Sequence, residues 1–193
     1  GILIEDCIFE NSFAEKQGGV IFADCLEAQQ QLTLGISLRN VLFRNNAAQG
    51  AGGGAISLHH CKQVKLTQVT FESNHAPSGA GGAILASATD LRLDSVVAER
   101  NTAGGADGGG AFRVSGGSLT SENGGTESSS FPNKCAENSA SLSSGAGGAC
   151  LSLEYSSVSV VGWSMTHNQA SLGGAIRCMG SRIQITDSVF HAN

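Results

Sequence analysis

The chain has 193 residues, 27 of them Gly and only 2 Pro, with 40% hydrophobic residues and a formal net charge of −5. No Gly-X-Y period runs through it, which excludes collagen, and the ordinary apolar share with a small net charge excludes wholesale disorder. Scattered Lys and Arg argue against a nucleic-acid partner, and no apolar run approaches the roughly 18 residues of a membrane-spanning helix, so no membrane insertion by this segment is expected.

In chain order, the first element is a strand-like run, Ile2-Leu3-Ile4, with no initiator Met and no charged-then-apolar signal segment before it. The chain therefore reads as a mature piece of something longer. Phe9 follows, then Gly18-Gly19-Val20, and this order repeats. Ile36 and Leu38 precede Phe43-Arg44-Asn45-Asn46, with Gly53-Gly54-Ala55-Ile56 after it. Val64 and Leu66 precede Phe71-Glu72-Ser73-Asn74, with Gly81-Gly82-Ala83-Ile84 after it. Leu91 and Leu93 lead to Ala98 and Asn101, then to Gly109-Gly110-Ala111-Phe112. The next unit is irregular: Cys135 and Asn138 hold the Phe and Asn positions, Ser128 and Ser130 stand where apolar strand residues are due, and Gly147-Gly148-Ala149-Cys150 follows. Val158, Val160, Met165, Asn168 and Gly173-Gly174-Ala175-Ile176 restore the rule, and Ile183, Ile185 and Phe190-His191-Ala192-Asn193 begin a seventh unit. Successive Phe positions lie 25 to 37 residues apart.

Alternating β-branched residues mark strands with one buried face, and no capped segment of period 3.6 interrupts them. A unit with two or three short strands and no helix cannot bury its inward face alone, so the units must stack. The expected fold is all-β: a right-handed parallel β-helix, a solenoid of about six coils, forming one segment over 1–193. Stacking at roughly 4.8 Å puts equivalent residues into ladders. Phe9, Phe43, Phe71 and Phe190 then pack as offset rings. Asn46, Asn74, Asn101, Asn138, Asn168 and Asn193 bend the chain and pair their amides above and below. The Gly pairs allow a sharp turn with positive φ before a tightly packed Ala. The polar, Gly/Ser-rich stretch 115–133 is expected to project as a loop and to offer a contact surface. Neither end carries a cap, so the isolated chain is expected to fray or aggregate.

Six cysteines permit three disulfides. Cys25 and Cys61 lie six or seven residues after their Gly pairs in consecutive units, where stacking can bring them within bridging distance. Cys7, Cys135, Cys150 and Cys178 fall on inward positions and read as small core residues. Glu72 and Glu99 occupy the position after Phe and could stack as a like-charged pair, although Arg44 and Arg100 nearby suggest solvated edge charges. His59-His60-Cys61 offers three metal-ligand types in a row, but adjacent strand residues point to opposite faces, so no metal and no cofactor are expected. Trp163 and Tyr155 read as core aromatics.

With these motifs the sequence resembles the repeat region of the chlamydial polymorphic outer-membrane proteins, whose passenger domains carry many copies of Phe-x-x-Asn and Gly-Gly-Ala followed by Ile, Leu or Val. The likeness covers nearly the whole chain, and related repeats occur in large extracellular proteins of algae and other protists. The resemblance implies a non-enzymatic, autotransported cell-surface β-helix for adhesion, with a protein or glycan partner and room for lateral or end-to-end assembly. The alternatives are a pectate-lyase-like carbohydrate-active enzyme, which would need acids and a base converging on one groove, and a purely architectural segment of an extracellular filament or coat.

Overall fold

The computed structural model describes residues 1–26, 35–122, 133–141 and 146–193. Every element among them is a β-strand, and the strands form three sheets, of twelve, six and five strands. All pairings are parallel. Neighbouring strands come from successive repeats. Ile36 lies beside Val64, Val64 beside Leu91, Leu91 beside Leu119, Leu119 beside Val158, and Val158 beside Ile183. The architecture is thus solenoid-like. Each repeat contributes strands to the twelve-stranded sheet before and through the Phe position and a four-residue strand to the six-stranded sheet after the Gly pair. The first five contribute a two-residue strand to the five-stranded sheet, which the sixth joins by the single bridge of Gln169 to Ser139.

Single left-handed residues make the corners. The residue three before the Phe position has positive φ at Asp6, Asn40, Gln68, Ser95 and Asp187, and so does the residue before each ladder Asn, at Asn45, Ser73, Arg100, Glu137, His167 and Ala192. Asn, Asp and His tolerate this region best among residues other than Gly, which accounts for Asp6, Asn40, Asn45, His167 and Asp187.

The core is a set of columns. Phe9 stacks on Phe43 at 5.3 Å, and Phe43 on Phe71 at 5.1 Å. The column then changes to Ala98, Cys135, Met165 and Phe190 in register. Beside it runs an unbroken asparagine ladder: the side-chain amide of each of Asn46, Asn74, Asn101, Asn138 and Asn168 donates to Oδ1 of the next, at 2.8 to 3.0 Å. Each amide also donates back to the carbonyl at the preceding Phe position, and each backbone N–H donates to the next Oδ1. In the first repeat Ser12 holds this place, its N–H donating to Asn46 Oδ1.

The fifth repeat departs from the expected register twice. Ser118–Glu122, inside the expected 115–133 loop, is a strand. It puts Leu119 beside Leu91 and Ser121 beside Leu93, the positions assigned from sequence to Ser128 and Ser130. Residues 123–132, and with them Ser128 and Ser130, lie outside the described residues. The glycine motif is also one residue late. Leu151, not Cys150, pairs with Phe112 and Ile176. Gly148, with φ +66°, matches the first glycines Gly53, Gly81, Gly109 and Gly173. Ala149 therefore stands where the others have their second Gly, and Cys150 where they have Ala. Cys150 N and Leu151 N both donate to Ala175 O, as Ala55 N and Ile56 N both donate to Ala83 O.

Candidate binding surface

Where each inward column is consumed by packing, function is left to the outward rows. Cysteines come first because they interrupt the columns. Cys25 and Cys61 form a disulfide joining two successive repeats, with Cα atoms 5.1 Å apart. Cys135 and Cys150 form a second, which the sequence reading missed by treating both as unpaired core residues. Both are fully buried. The reason is the late glycine motif: it puts Cys150 in the Ala column, facing the Phe column where Cys135 stands. Two small thiols thus replace a Phe and an Ala, and the bridge fills the gap. Cys7 is half-buried and Cys178 exposed, both unpaired.

The aromatic expectations split. Trp163 is fully buried, its indole N–H donating to Ser121 Oγ at 2.8 Å. Tyr155 is exposed, contrary to the core reading. It holds a left-handed corner, φ 47°, in the column of His60, Ala88, Gly116 and Gly180, and its ring lies over Gly180.

The two carboxylates singled out from sequence do not form a catalytic pair. Glu72 and Glu99 are adjacent in register, yet both are paired with cations: Arg100 reaches Glu72 at 2.6 Å and Glu99 at 3.6 Å, and Lys134 reaches Glu99 at 2.6 Å. The hydrogen bond to Glu72 holds the Arg100 guanidinium above its usual pKa. Glu10 pairs with Arg44 on the same row. These are exposed cross-strand ion pairs, which tie neighbouring repeats modestly.

The six-stranded sheet carries a polar cluster on its outer face. His59 Nε2 lies 3.1 Å from Ser57 Oγ and 3.3 Å from Gln17 Oε1. Burial holds the His59 imidazole below its usual pKa. Asp24 instead engages His60, Oδ1 to Nδ1 at 3.2 Å, and this hydrogen bond holds the Asp24 carboxyl below the usual carboxylate range. Serine, histidine and aspartate are all present, but the carboxylate orients the wrong histidine for a nucleophilic triad. Among the described residues no group of three His, Cys, Asp or Glu is placed to hold a metal ion.

An open groove of about 670 Å³ lies along the twelve-stranded sheet. Its floor is one in-register row, Leu3, Ser37, Lys65, Arg92 and Thr120, flanked by Ile2, Lys62 and Asp90. Asp90 accepts from Ser118 Oγ at 2.7 Å and lies 3.6 Å from Lys62 Nζ. The sequence reading did not find this row. Its signal was available as far as Arg92: Leu3, Ser37, Lys65 and Arg92 share one offset from the Phe position, whereas Thr120 stands further from Cys135.

Residues 68–87 match the family model of the Chlamydia polymorphic membrane protein repeat. The chain is 32% identical over 189 residues to the probable outer membrane protein pmp6 of Chlamydia pneumoniae, an alignment covering 93% of this chain and 14% of that protein. It is 37% identical over 82 residues to the probable outer membrane protein pmp7 of the same organism, covering 41% of this chain and 8% of the relative. The chain therefore spans a small part of the length of these relatives. Both are chlamydial, and they lend no support to the algal or protist alternative. No solved structure matches the chain, and among the described residues no helix is long and apolar enough to cross a membrane. These matches show homology to the chlamydial polymorphic membrane protein repeats over part of the chain.

Proposed function

We propose that the chain is a stretch of right-handed parallel β-helix, about six coils, from a longer cell-surface protein of the chlamydial polymorphic membrane protein kind, and that it serves as a non-enzymatic adhesion scaffold. Right-handedness follows from the strong preference of parallel crossover connections. The carrying observation is that the recurrent residues are used up in stacking. The Phe column, the asparagine ladder, and the Gly pairs at 53–54, 81–82, 109–110 and 173–174 all serve the array. In the fifth repeat Gly148 and Ala149 take the part assigned from sequence to Gly147 and Gly148. What varies from repeat to repeat faces outward, where a scaffold presents its contacts. Two disulfides fit an oxidising, extracellular setting. Partners in this reading are a protein or glycan on the opposing surface, and the polar sequence of 115–133 outside its strand adds a second contact region.

The test is saturable binding of the fluorescently labelled chain to epithelial cells, run beside an assay for cleavage of acidic polysaccharides. Saturable binding without cleavage is expected. Release of new sugar ends would replace this reading with a carbohydrate-active enzyme. Self-association without cell binding would replace it with an architectural segment.

A further inference from the structure

We propose that Tyr155 is a stacking platform for a pyranose sugar, which lies on the open side of its ring above Gly116. This rests on the surface-scaffold reading and gives it a contact site. The backbone supplies the first argument. Tyr155 holds a left-handed corner at φ 47°, one step beyond the register pairs of Glu154 with Ser115 and with Met179. Gly116 of the preceding repeat therefore lies on one side of it and Gly180 of the following repeat on the other. A bulky aromatic is strained in that conformation and glycine is not. Strained residues of this kind gather at ligand-binding sites.

Exposure is the second argument. Tyr155 is 70% exposed, although Ile176–Met179 pairs beyond its own strand, Leu151–Glu154, so the ring does not stand at a bare edge. Its backbone is held in the stack, N–H to Met179 O at 2.9 Å, which makes the platform rigid. Space is the third. A Cβ on Gly180 would lie 2.7 Å from Cδ1 and Cε1 of the ring, whereas one on Gly116 would meet nothing within 4 Å. The ring thus leans on Gly180, and Gly116 brings no side chain into the space on its other side. A pyranose with an unbroken C–H face suits an aromatic ring that is apolar in its body and wet at its rim. Ser115, Glu154 and Ser157 stand beside the ring for the sugar hydroxyls, with Met179 as an apolar neighbour. A protein contact fits less well, because a hot-spot aromatic needs a surround that excludes water.

The chain has a single Tyr, so its ring resonances report this site alone. The test is titration of the disulfide-intact chain, isotopically labelled at Tyr, with millimolar lactose, chitotriose, sorbitol and a proline-rich peptide. Saturable shifts of the ring signals with lactose, chitotriose or both are expected. None is expected with sorbitol, which has the hydroxyls without the ring. Tyr155→Gly relieves the positive φ and should weaken binding, read by saturation transfer to the sugar, by about tenfold or more. Tyr155→Phe keeps the ring and should stay within about threefold. Gly116→Asn fills the open space with a residue that tolerates positive φ, and should weaken binding with Tyr155 in place. Far-UV circular dichroism checks that the variants keep their strands. No shift with either sugar, an equal shift with sorbitol, undiminished binding by Tyr155→Gly or Gly116→Asn, or binding of the peptide in place of the sugars would each overturn the proposal. Saturable cell binding without sugar binding would remove this site and leave the scaffold reading standing; sugar binding without cell binding would do the reverse.

Discussion

The ring of Phe112 meets the ring of Phe71 edge-on, with centroids 6.0 Å apart and planes at 89°. These residues belong to different columns on different sheets, and their contact explains an exchange within the fourth repeat. There the Phe column drops to Ala98, while the column of Ile56 and Ile84 rises to Phe112. A large residue has moved across the core to fill the space its neighbour gave up, and Trp163 continues the edge-on series beyond it at 6.1 Å. Both Ala98 and Phe112 are fully buried. Ala98→Phe should overpack the site and cost about 1–3 kcal/mol. Phe112→Ile should open a cavity and cost about 2 kcal/mol. The double variant restores the arrangement of the preceding repeats, so its loss should fall about 1–3 kcal/mol short of the sum. Urea midpoints at unchanged slope measure this; strictly additive losses would show that the two columns do not share the space.

Asn74 sits in the middle of the ladder and is fully buried. Its Oδ1 accepts from Asn46 N and Nδ2, and its amide donates to Phe43 O and Asn101 Oδ1. Asn74→Ala takes the acceptor from Asn46 N and Nδ2 and the side-chain donor from Phe43 O and Asn101 Oδ1, at about 1–3 kcal/mol for each buried group left unpaired, so a total loss of roughly 3–5 kcal/mol is expected. Asn74→Asp keeps the acceptor but faces Asn101 Oδ1 with another oxygen, and should be no less harmful. Chemical denaturation checks both; an Asp variant as stable as wild type would mean that the amide donors carry none of the ladder's strength.

Two glycine-to-alanine changes should differ sharply. A Cβ on Gly82 would lie 2.2 Å from Gly110 O and 2.5 Å from Thr102 O, all backbone of the next repeat, whereas Gly116 has open space around it despite a φ of +66°. Gly116→Ala carries only the left-handed penalty, about 1 kcal/mol. Gly82→Ala must push two repeats apart and is expected to prevent cooperative folding, seen as loss of the thermal transition. Similar small shifts in both variants would show that the second Gly is not held by close stacking.

How much of this was legible depends on whether one local pattern or two distant ones had to be read. Phe43, Asn46 and Gly53 recur together within one unit, so their offsets alone announce strands and ladders. The partnership of Ala98 with Phe112 cannot be seen that way, because it joins positions that differ from their own columns in compensating directions. Motif spelling misled at Gly147-Gly148-Ala149-Cys150. The letters match the repeat, but stacking aligns Leu151 with Ile176 and shifts the motif by one. Leu119 was missed for the related reason that a longer unit was counted back from Cys135, while the chain had made its strand before the extra residues. The outward groove row was legible as far as Arg92 but carries no recurring letter, and Thr120 was hidden with Leu119.

The disulfides sit where the repeats are least regular, and each should matter through the chain it closes. Cys25–Cys61 spans 36 residues and Cys135–Cys150 spans 15. On the loop-closure estimate, removing the first costs about 4 kcal/mol and the second about 3 kcal/mol. The double change Cys135→Phe with Cys150→Ala should recover part of the second loss, because it returns both columns to the residues of the second and third repeats. Denaturation of the single, paired and repacked variants under oxidising conditions decides it. A repacked variant no better than Cys135→Ala with Cys150→Ala would show that the corner is too tight for the Phe ring.

Acid should loosen the corner at His59 before it reaches the rest of the molecule. Burial holds this imidazole below its ordinary value, with His60 acting in the same direction and Asp24 opposing. The unfolded chain therefore takes up the proton first as pH falls. The contribution of His59 is fully present above its unfolded value, about 6.5, and is lost progressively below it, toward the lower folded value. Asp24, lowered chiefly by its hydrogen bond with His60, follows the carboxylate rule: its contribution holds above its unfolded value and is lost at still lower pH. Hydrogen exchange at the amides of His60 and Cys25, which donate to Ser87 O and His59 O, should become faster between about pH 7.5 and about pH 5.5 after correction for intrinsic rates. His59→Gln keeps a polar partner for Ser57 and Gln17 without a titrating ring, so its exchange should be flat across that window. A slope unchanged by this substitution would assign the acid response to some other group.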